Sequence, residues 1–203
     1  MKIELNGPIE NVWGSGIGLS VQTFDVYIDT DPGAGTGARM LLEGRNAALE
    51  EGNGWEYAAW AEGWNQKVLR PDESGAPVEM SGENLKVIID PVQRSVTLRI
   101  PLALFGEGVD PAAWGYTAAV LSQEGFPAPG VRRVRDVQPA AEQWRIGGGP
   151  DDTNHTRIMD LVWPTDASSD QASILSTYPS SQDAVGSLSP DDFAQVPLLQ
   201  AEE

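Results

Sequence analysis

The sequence predicts an all-β fold, an antiparallel β-sandwich of the jelly-roll type with long loops and a C-terminal tail. Three observations carry this expectation. Helical periodicity is scarce, whereas short runs of period-two alternation recur. Gly (22 residues) and Pro (15) punctuate the 203-residue chain throughout, as turns between strands require. Roughly seven to eight strand signals follow one another at the spacing of a two-sheet sandwich.

In chain order, residues 17–29 give the clearest strand. Leu19 and Val21 share one parity and Phe24, Val26 and Ile28 the other. That phase switch fits either a bulge near Gln22 and Thr23 or a central strand buried on both faces. Residues 31–54 form a long loop whose middle has room for a short helix. Residues 55–64 (WEYAAWAEGW) carry rings on both parities, Trp55 and Tyr57 against Trp60 and Trp64. Residues 85–90 and 95–100 read as a hairpin, its second arm pointing Val96, Leu98 and Ile100 inward and Thr97 and Arg99 outward. Two more strands follow at 116–121 and 158–163. The loop 124–149 is basic for this chain (VRRVR) and ends in Gly147-Gly148-Gly149. The last segment is rich in Ser, Asp and Gln, with a helical candidate over 172–178, and its Leu198 and Leu199 need cover. The organisation expected is a sandwich over 1–164 and an extension, 165–203, packing on it or partly flexible.

Charge and composition remove several functions. Lys plus Arg is 13 and Asp plus Glu is 30, for a formal net charge of −17. Such a surface repels phosphate backbones and anionic lipid, so neither nucleic acid nor a membrane is an expected partner. The absence of Cys excludes thiol nucleophiles, disulfides and thiolate metal sites. One His, His155, rules out two-His metal motifs. No run of eighteen apolar residues occurs to span a bilayer. The opening MKIELNGPIENVW has one Lys and no apolar core, so it is not expected to act as a signal peptide.

Catalytic signals are thin. There is no G-x-S-x-G elbow, and His155 lies in a Gly/Asp/Asn loop that offers no Ser–His–Asp triad. Nothing in the placement of Met40, Met80 or Met159 selects a haem site with His155. Glu56 and Glu62 imitate a glycosidase pair, but exposed strand charges are the ordinary explanation. The chain is expected not to be an enzyme.

Two constellations suit binding. Trp rings stack on the apolar faces of sugars, so Trp60 and Trp64, beside Asn65 and Gln66 and with Arg45 at the rim, form a candidate saccharide platform; burial in the core is the alternative for each ring. In VYIDTDPGAGTG, Asp29 and Asp31 alternate like the early ligands of a calcium loop, although Gly33 and Met40 fall at later ligand positions. A solvated strand end closed by Asp-Pro-Gly turn chemistry is the alternative. The glycines lack the third Gly of G-x-G-x-x-G, which argues against a dinucleotide loop. Asp151-Asp152-Thr153-Asn154 is a second acidic loop of the same kind.

Six strings in order, NGPIENVWGSGIGLSVQTFDVYIDTDPGAGTGA, GRNA, WEYAAWAEGW, WGYTAAVLS, AEQWRIGGG and IMDLVWP, together resemble the C-terminal domain of glucodextranase and of amylopullulanase-type proteins. The resemblance implies a sandwich similar to DOMON-like domains and to family 9 carbohydrate-binding modules. It also implies an extracellular or cell-surface accessory role beside a catalytic domain acting on α-glucans, with calcium as an expected cofactor. Asp29, Asp31, Trp55, Trp64, Trp114 and Trp144 occupy its motif positions, which adds Trp114 to the candidate sugar contacts. The function expected is a non-catalytic module that binds an α-glucan or a cell-surface polysaccharide; the alternative is an S-layer-like, wall-contact or protein-interaction module without sugar affinity. Similar domains begin with strands ahead of this run, so residues 1–5 read as a truncated strand whose open edge suits a partner strand or a homodimer.

Overall fold

The structure is a computed structural model and describes residues 1–82, 84–124, 130–132, 134–164 and 170–200. Part of the basic loop and the first residues of the C-terminal extension, 165–169, lie outside the described residues. The strands are β1 (Lys2–Glu4), β2 (Gln22–Asp29), β3 (Ala47–Leu49), β4 (Tyr57–Glu62), β5 (Asn65–Pro71), β6 (Pro77–Glu79), β7 (Lys86–Asp90) and β8 (Ser95–Arg99). They continue with β9 (Gly115–Ser122), β10 (Asp136–Val137), β11 (Arg145–Ile146) and β12 (Ile158–Leu161). Helix α1 (Gln171–Ser176), β13 (Ala194–Val196) and β14 (Leu199–Gln200) complete the chain.

Strand β2 stands mid-sheet in the order β12-β9-β2-β4-β5-β6, antiparallel to β9 along all eight of its residues, from Gln22↔Ser122 to Asp29↔Gly115. Every residue of β2 after Gln22 is buried. The phase switch in its sequence therefore marks a strand buried on both faces. Phe24, Val26 and Ile28 meet Ile3, Val96 and Leu98 of the second sheet, β1-β8-β7, to make one core. On the opposite face Tyr27 joins Ala58, Trp60, Leu69, Ala119 and Leu121 beneath Leu41, Leu42, Leu49 and Val196. The molecule is thus an all-β sandwich with a third layer of loops and short strands laid over the larger sheet.

That third layer corrects one expectation. Residues 31–54 hold no helix: Gly44 (φ 86°) and Asn46 (φ 51°) take left-handed backbone conformations that interrupt any helix. The run instead buries Leu41 and Leu42 and forms β3, which pairs parallel with β13. The C-terminal helical candidate does form, as α1, its first turn capped by Asp170 Oδ1 accepting from Ser173 N at 2.8 Å. Leu198 finds its cover on the loop-side core, and β14 pairs with β9.

The acidic loop at 151–154 has a structural use. Asn154 donates to the carbonyls of Pro179 and Asp192 and accepts from Ser181 N, clasping the extension to the body. His155 Nδ1 sits 2.9 Å from Asp152 Oδ1, so the lone imidazole belongs to this clasp. Tyr178 completes it, donating to Asp152 Oδ2 at 3.2 Å; burial and the Asp152 charge push the phenol up to about 12. Residues 2–4 do form a strand, β1, paired with β8. Its outer edge carries a Lys2–Glu4 ion pair at 2.6 Å, the kind of charge that discourages pairing with another chain.

Candidate functional site

Three of the residues expected to touch sugar are inside the protein. Arg45 has no exposed surface: its Nε and Nη2 donate to the Asp25 carboxylate at 2.6 and 3.0 Å, and Nη1 reaches the Glu43 and Val131 carbonyls. Trp60 is 3 % exposed, because its strand position opposite Asp25 faces the loop-side core. Trp114 is 5 % exposed and packs edge-on against Phe105 at 4.9 Å in the inter-sheet core. Arg45 and Trp60 are thus buried, and Trp114 is reached only through a small apolar cavity of about 190 Å³ that it lines with Phe105 and Tyr116. Trp60 and Trp64 share no face either, since β4 ends at Glu62 and the chain reverses at Gly63 and Trp64.

Trp64 is the ring that does reach solvent, at 48 % exposure. The tight turn that carries it lies against the loop 11–20; a Cβ on Gly63 would come 2.3 Å from the Leu19 carbonyl oxygen. That loop holds Trp13, 37 % exposed, whose ring lies 6.3 Å from that of half-buried Trp144. The Arg135 guanidinium sits over the Trp144 ring at 5.9 Å. Beside these rings the larger sheet ends in polar residues. Thr23 follows the Phe24↔Ala61 pairing and so stands next to Glu62, which pairs with Asn65. Gln123 donates to Glu62 Oε2 at 3.3 Å, Asn65 donates to Glu62 Oε1, and Gln66 Nε2 turns back to the Glu62 carbonyl at 2.7 Å. Thr23 Oγ1, Trp60 Nε1, Gln123 Oε1 and Arg135 Nε are buried with no hydrogen-bond partner among the described residues.

At the other end of β2 the loop glycines bring carboxylates together. Asp29, Asp31 and Glu56 each place an oxygen within 4.8 Å of the others. Asp29 is buried, its oxygens accepting from Asp31 N and Gly54 N, both at 3.0 Å. Glu56 Oε2 accepts from Thr30 N at 2.8 Å, and Thr36 Oγ1 lies 2.8 Å from Glu56 Oε1 and 2.7 Å from Asp31 Oδ1. Burial raises Asp29 and Glu56 above the ordinary carboxylate range, and the neighbouring acid charges add to it. An all-oxygen set of this kind suits a hard divalent cation such as Ca²⁺. Close packing of the loop fixes it: a Cβ at Gly54 would lie 1.8 Å from the Thr36 carbonyl oxygen. Gly54→Ala is therefore expected to cost about 3 kcal/mol, read as a lowered denaturant midpoint at unchanged slope.

Asp29 and Asp31 were legible as a pair, whereas Glu56 joins them only through the Ile28↔Tyr57 register. The same register separates Glu56 from Glu62 by the length of β4, about 20 Å at about 3.3 Å per residue, far beyond the spacing of a glycosidase pair. Trp13 and Trp144 were missed as partners because their meeting depends on two loops far apart in sequence. The available signal was local: both lie among Gly and polar residues, where a large ring has little to bury it.

A β-sandwich with exposed rings at one end of its larger sheet and a braced acidic loop at the other has the features of a binding module. The chain belongs to the Glucodextran_C family, the C-terminal binding-module, SLH-like, of glucodextranase, whose family model matches residues 1–190. Membership fits a non-catalytic accessory domain in the context of an extracellular enzyme. No curated protein matches the chain.

Proposed function

We propose that this domain is a carbohydrate-binding accessory module that holds an α-glucan or a cell-surface polysaccharide near a glycoside hydrolase. The observation that carries the reading is the exposed Trp64, on a turn packed against the loop whose Trp13 ring meets that of half-buried Trp144, at the polar end of the larger sheet. Rings that stack on a pyranose face, next to the half-buried Asn65 and Gln66 amides and the Arg135 guanidinium, supply both halves of sugar recognition. Such a module raises the local concentration of polymer at the tethered catalytic domain, so weak individual contacts suffice.

Calcium at Asp29, Asp31 and Glu56 is the second part of the proposal. The Trp end and the carboxylate end are separated by the length of β2, about 23 Å at about 3.3 Å per residue. The cation accordingly braces the loop 29–56 and does not touch sugar at the rings.

Affinity electrophoresis in gels containing soluble α-glucans tests the sugar reading. Wild type is expected to be retarded, and Trp13→Ala and Trp64→Ala to run as in sugar-free gel while losing only about 1 kcal/mol of stability, because at 37 % and 48 % exposure neither ring belongs to the core. Absence of retardation for wild type across the polysaccharide panel, together with concentration-dependent self-association, would instead support the wall-contact or spacer role.

A further inference from the structure

A second concavity lies at the carboxylate end of the sheet, where β4 begins, β5 ends and the β5–β6 turn folds back. It encloses about 420 Å³, within the range of small-molecule sites, and is lined by Gly37, Glu56, Tyr57, Arg70, Asp72 and Glu73 among others. Its walls are fixed before any ligand arrives. Asp72 Oδ1 accepts from Ser74 N at 2.8 Å, Ser74 Oγ at 2.7 Å and Ala76 N at 3.0 Å, which locks the turn. Glu56 is held by Thr30 and Thr36, and the Tyr57 ring packs edge-on against Phe105 at 4.7 Å. Arg70 is the exception. Its side chain is exposed and makes no ion pair or hydrogen bond among the described residues, although three carboxylates share the cavity with it.

The donor and acceptor inventory selects the ligand. Arg70 offers only donors, Glu56 and Asp72 only acceptors, and Tyr57 both, beside an aromatic surface. A simple anion would meet three carboxylates, and a simple cation would meet the guanidinium. A hydroxyl both donates and accepts, so a pair of neighbouring hydroxyls on a neutral sugar ring satisfies both kinds of group at once.

From this geometry we infer a second saccharide subsite, built on Arg70, Asp72 and Tyr57 at the opposite end of the sheet from the exposed Trp rings. This rests on the carbohydrate-binding reading and extends it: the module holds two sugar segments, and a polymer long enough to engage both gains affinity by the second encounter being intramolecular.

The test is calorimetric titration with malto- and isomalto-oligosaccharides, with chitosan oligomers as a cationic comparison. Wild type is expected to bind two neutral oligosaccharides per chain. Arg70→Met should leave one site, its own weakened about tenfold or more through loss of charge-assisted hydrogen bonds. The double variant Trp13→Ala/Trp64→Ala should leave the other, and Arg70→Lys should fall between wild type and Arg70→Met because it keeps the charge without the planar fork. One site in wild type that disappears with the Trp rings and ignores Arg70 would overturn the second subsite while leaving the carbohydrate reading standing. No binding of any neutral sugar by wild type would overturn both. Tighter binding of chitosan oligomers, indifferent to Arg70→Met, would overturn the subsite by showing that the carboxylates act as a trap for cations.

Discussion

Arg45→Met is expected to lower the unfolding free energy by about 3–5 kcal/mol and the melting temperature by roughly 10 °C or more. The side chain was a reasonable rim ligand on sequence grounds, but it lies with Asp25 at 0 % exposure for both partners. Burial works against the guanidinium's charge, yet the Asp25 carboxylate and the adjoining Tyr27 raise its pKa. Tyr27 is itself raised well above its usual value, by burial first and then by the Asp25 charge, and its hydroxyl bonds Asp25 at 3.1 Å. Removing the guanidinium leaves a buried carboxylate with only a phenol and no countercharge. The same change also frees the Glu43 and Val131 carbonyls. The double variant Asp25→Leu/Arg45→Met should recover most of the loss, because replacing both members of a buried pair with apolar groups removes the desolvation cost as well as the attraction. Denaturant titration of the wild type, both single variants and the double variant closes the cycle. Intact stability of Arg45→Met with a selective loss of sugar affinity would return Arg45 to the rim.

This pair shows where sequence reading reached its limit. The strands were legible because β2, the β7–β8 hairpin and β9 alternate or run apolar with enough regularity to declare two buried faces. The third layer was not. Its β3–β13 pairing is three residues long and joins segments about 150 residues apart in the chain, and the loops around it carry no strand signal of their own. A polar residue in such a layer looks the same in sequence whether it meets water or a buried partner, so Arg45 read as surface. The Trp residues divide for the same reason. Trp55 spends its indole N–H on the Met40 carbonyl at 2.8 Å and is 1 % exposed, whereas Trp64, nine positions later, stands in a turn. Composition supplied the rings; only the register of β4 and β5 decides which of them reach solvent. The acidic loop was the more readable site, because Asp29 and Asp31 end a strand whose last residue must be buried and are followed at once by turn chemistry.

Glu56→Gln is expected to change sign in its effect on stability according to whether calcium is present. In a chelator at neutral pH, three carboxylates within 4.8 Å repel one another, and burial holds Asp29 and Glu56 above the ordinary carboxylate range. Removing one of the three charges should then stabilise the fold, by about 1 kcal/mol once the partial exposure of Glu56 is allowed for. The pH dependence follows from the same cause. A carboxyl whose folded pKa is raised binds its proton more readily in the folded than in the unfolded chain, so its charged form costs stability at neutral pH. That cost is relieved as pH falls through the folded pKa toward the unfolded value. The advantage of Glu56→Gln in chelator should therefore shrink on acidification. With calcium at a hundredfold excess over its dissociation constant, wild type should gain about 2.7 kcal/mol, a rise of roughly 5–10 °C in melting temperature, and Glu56→Gln most of it should lose. The two variants' melting curves should thus cross between chelator and calcium. A neutral response of wild type to calcium, with Glu56→Gln more stable under both conditions, would leave Asp29, Asp31 and Glu56 as a strand end held by the Thr30, Thr36 and Gly54 hydrogen bonds alone.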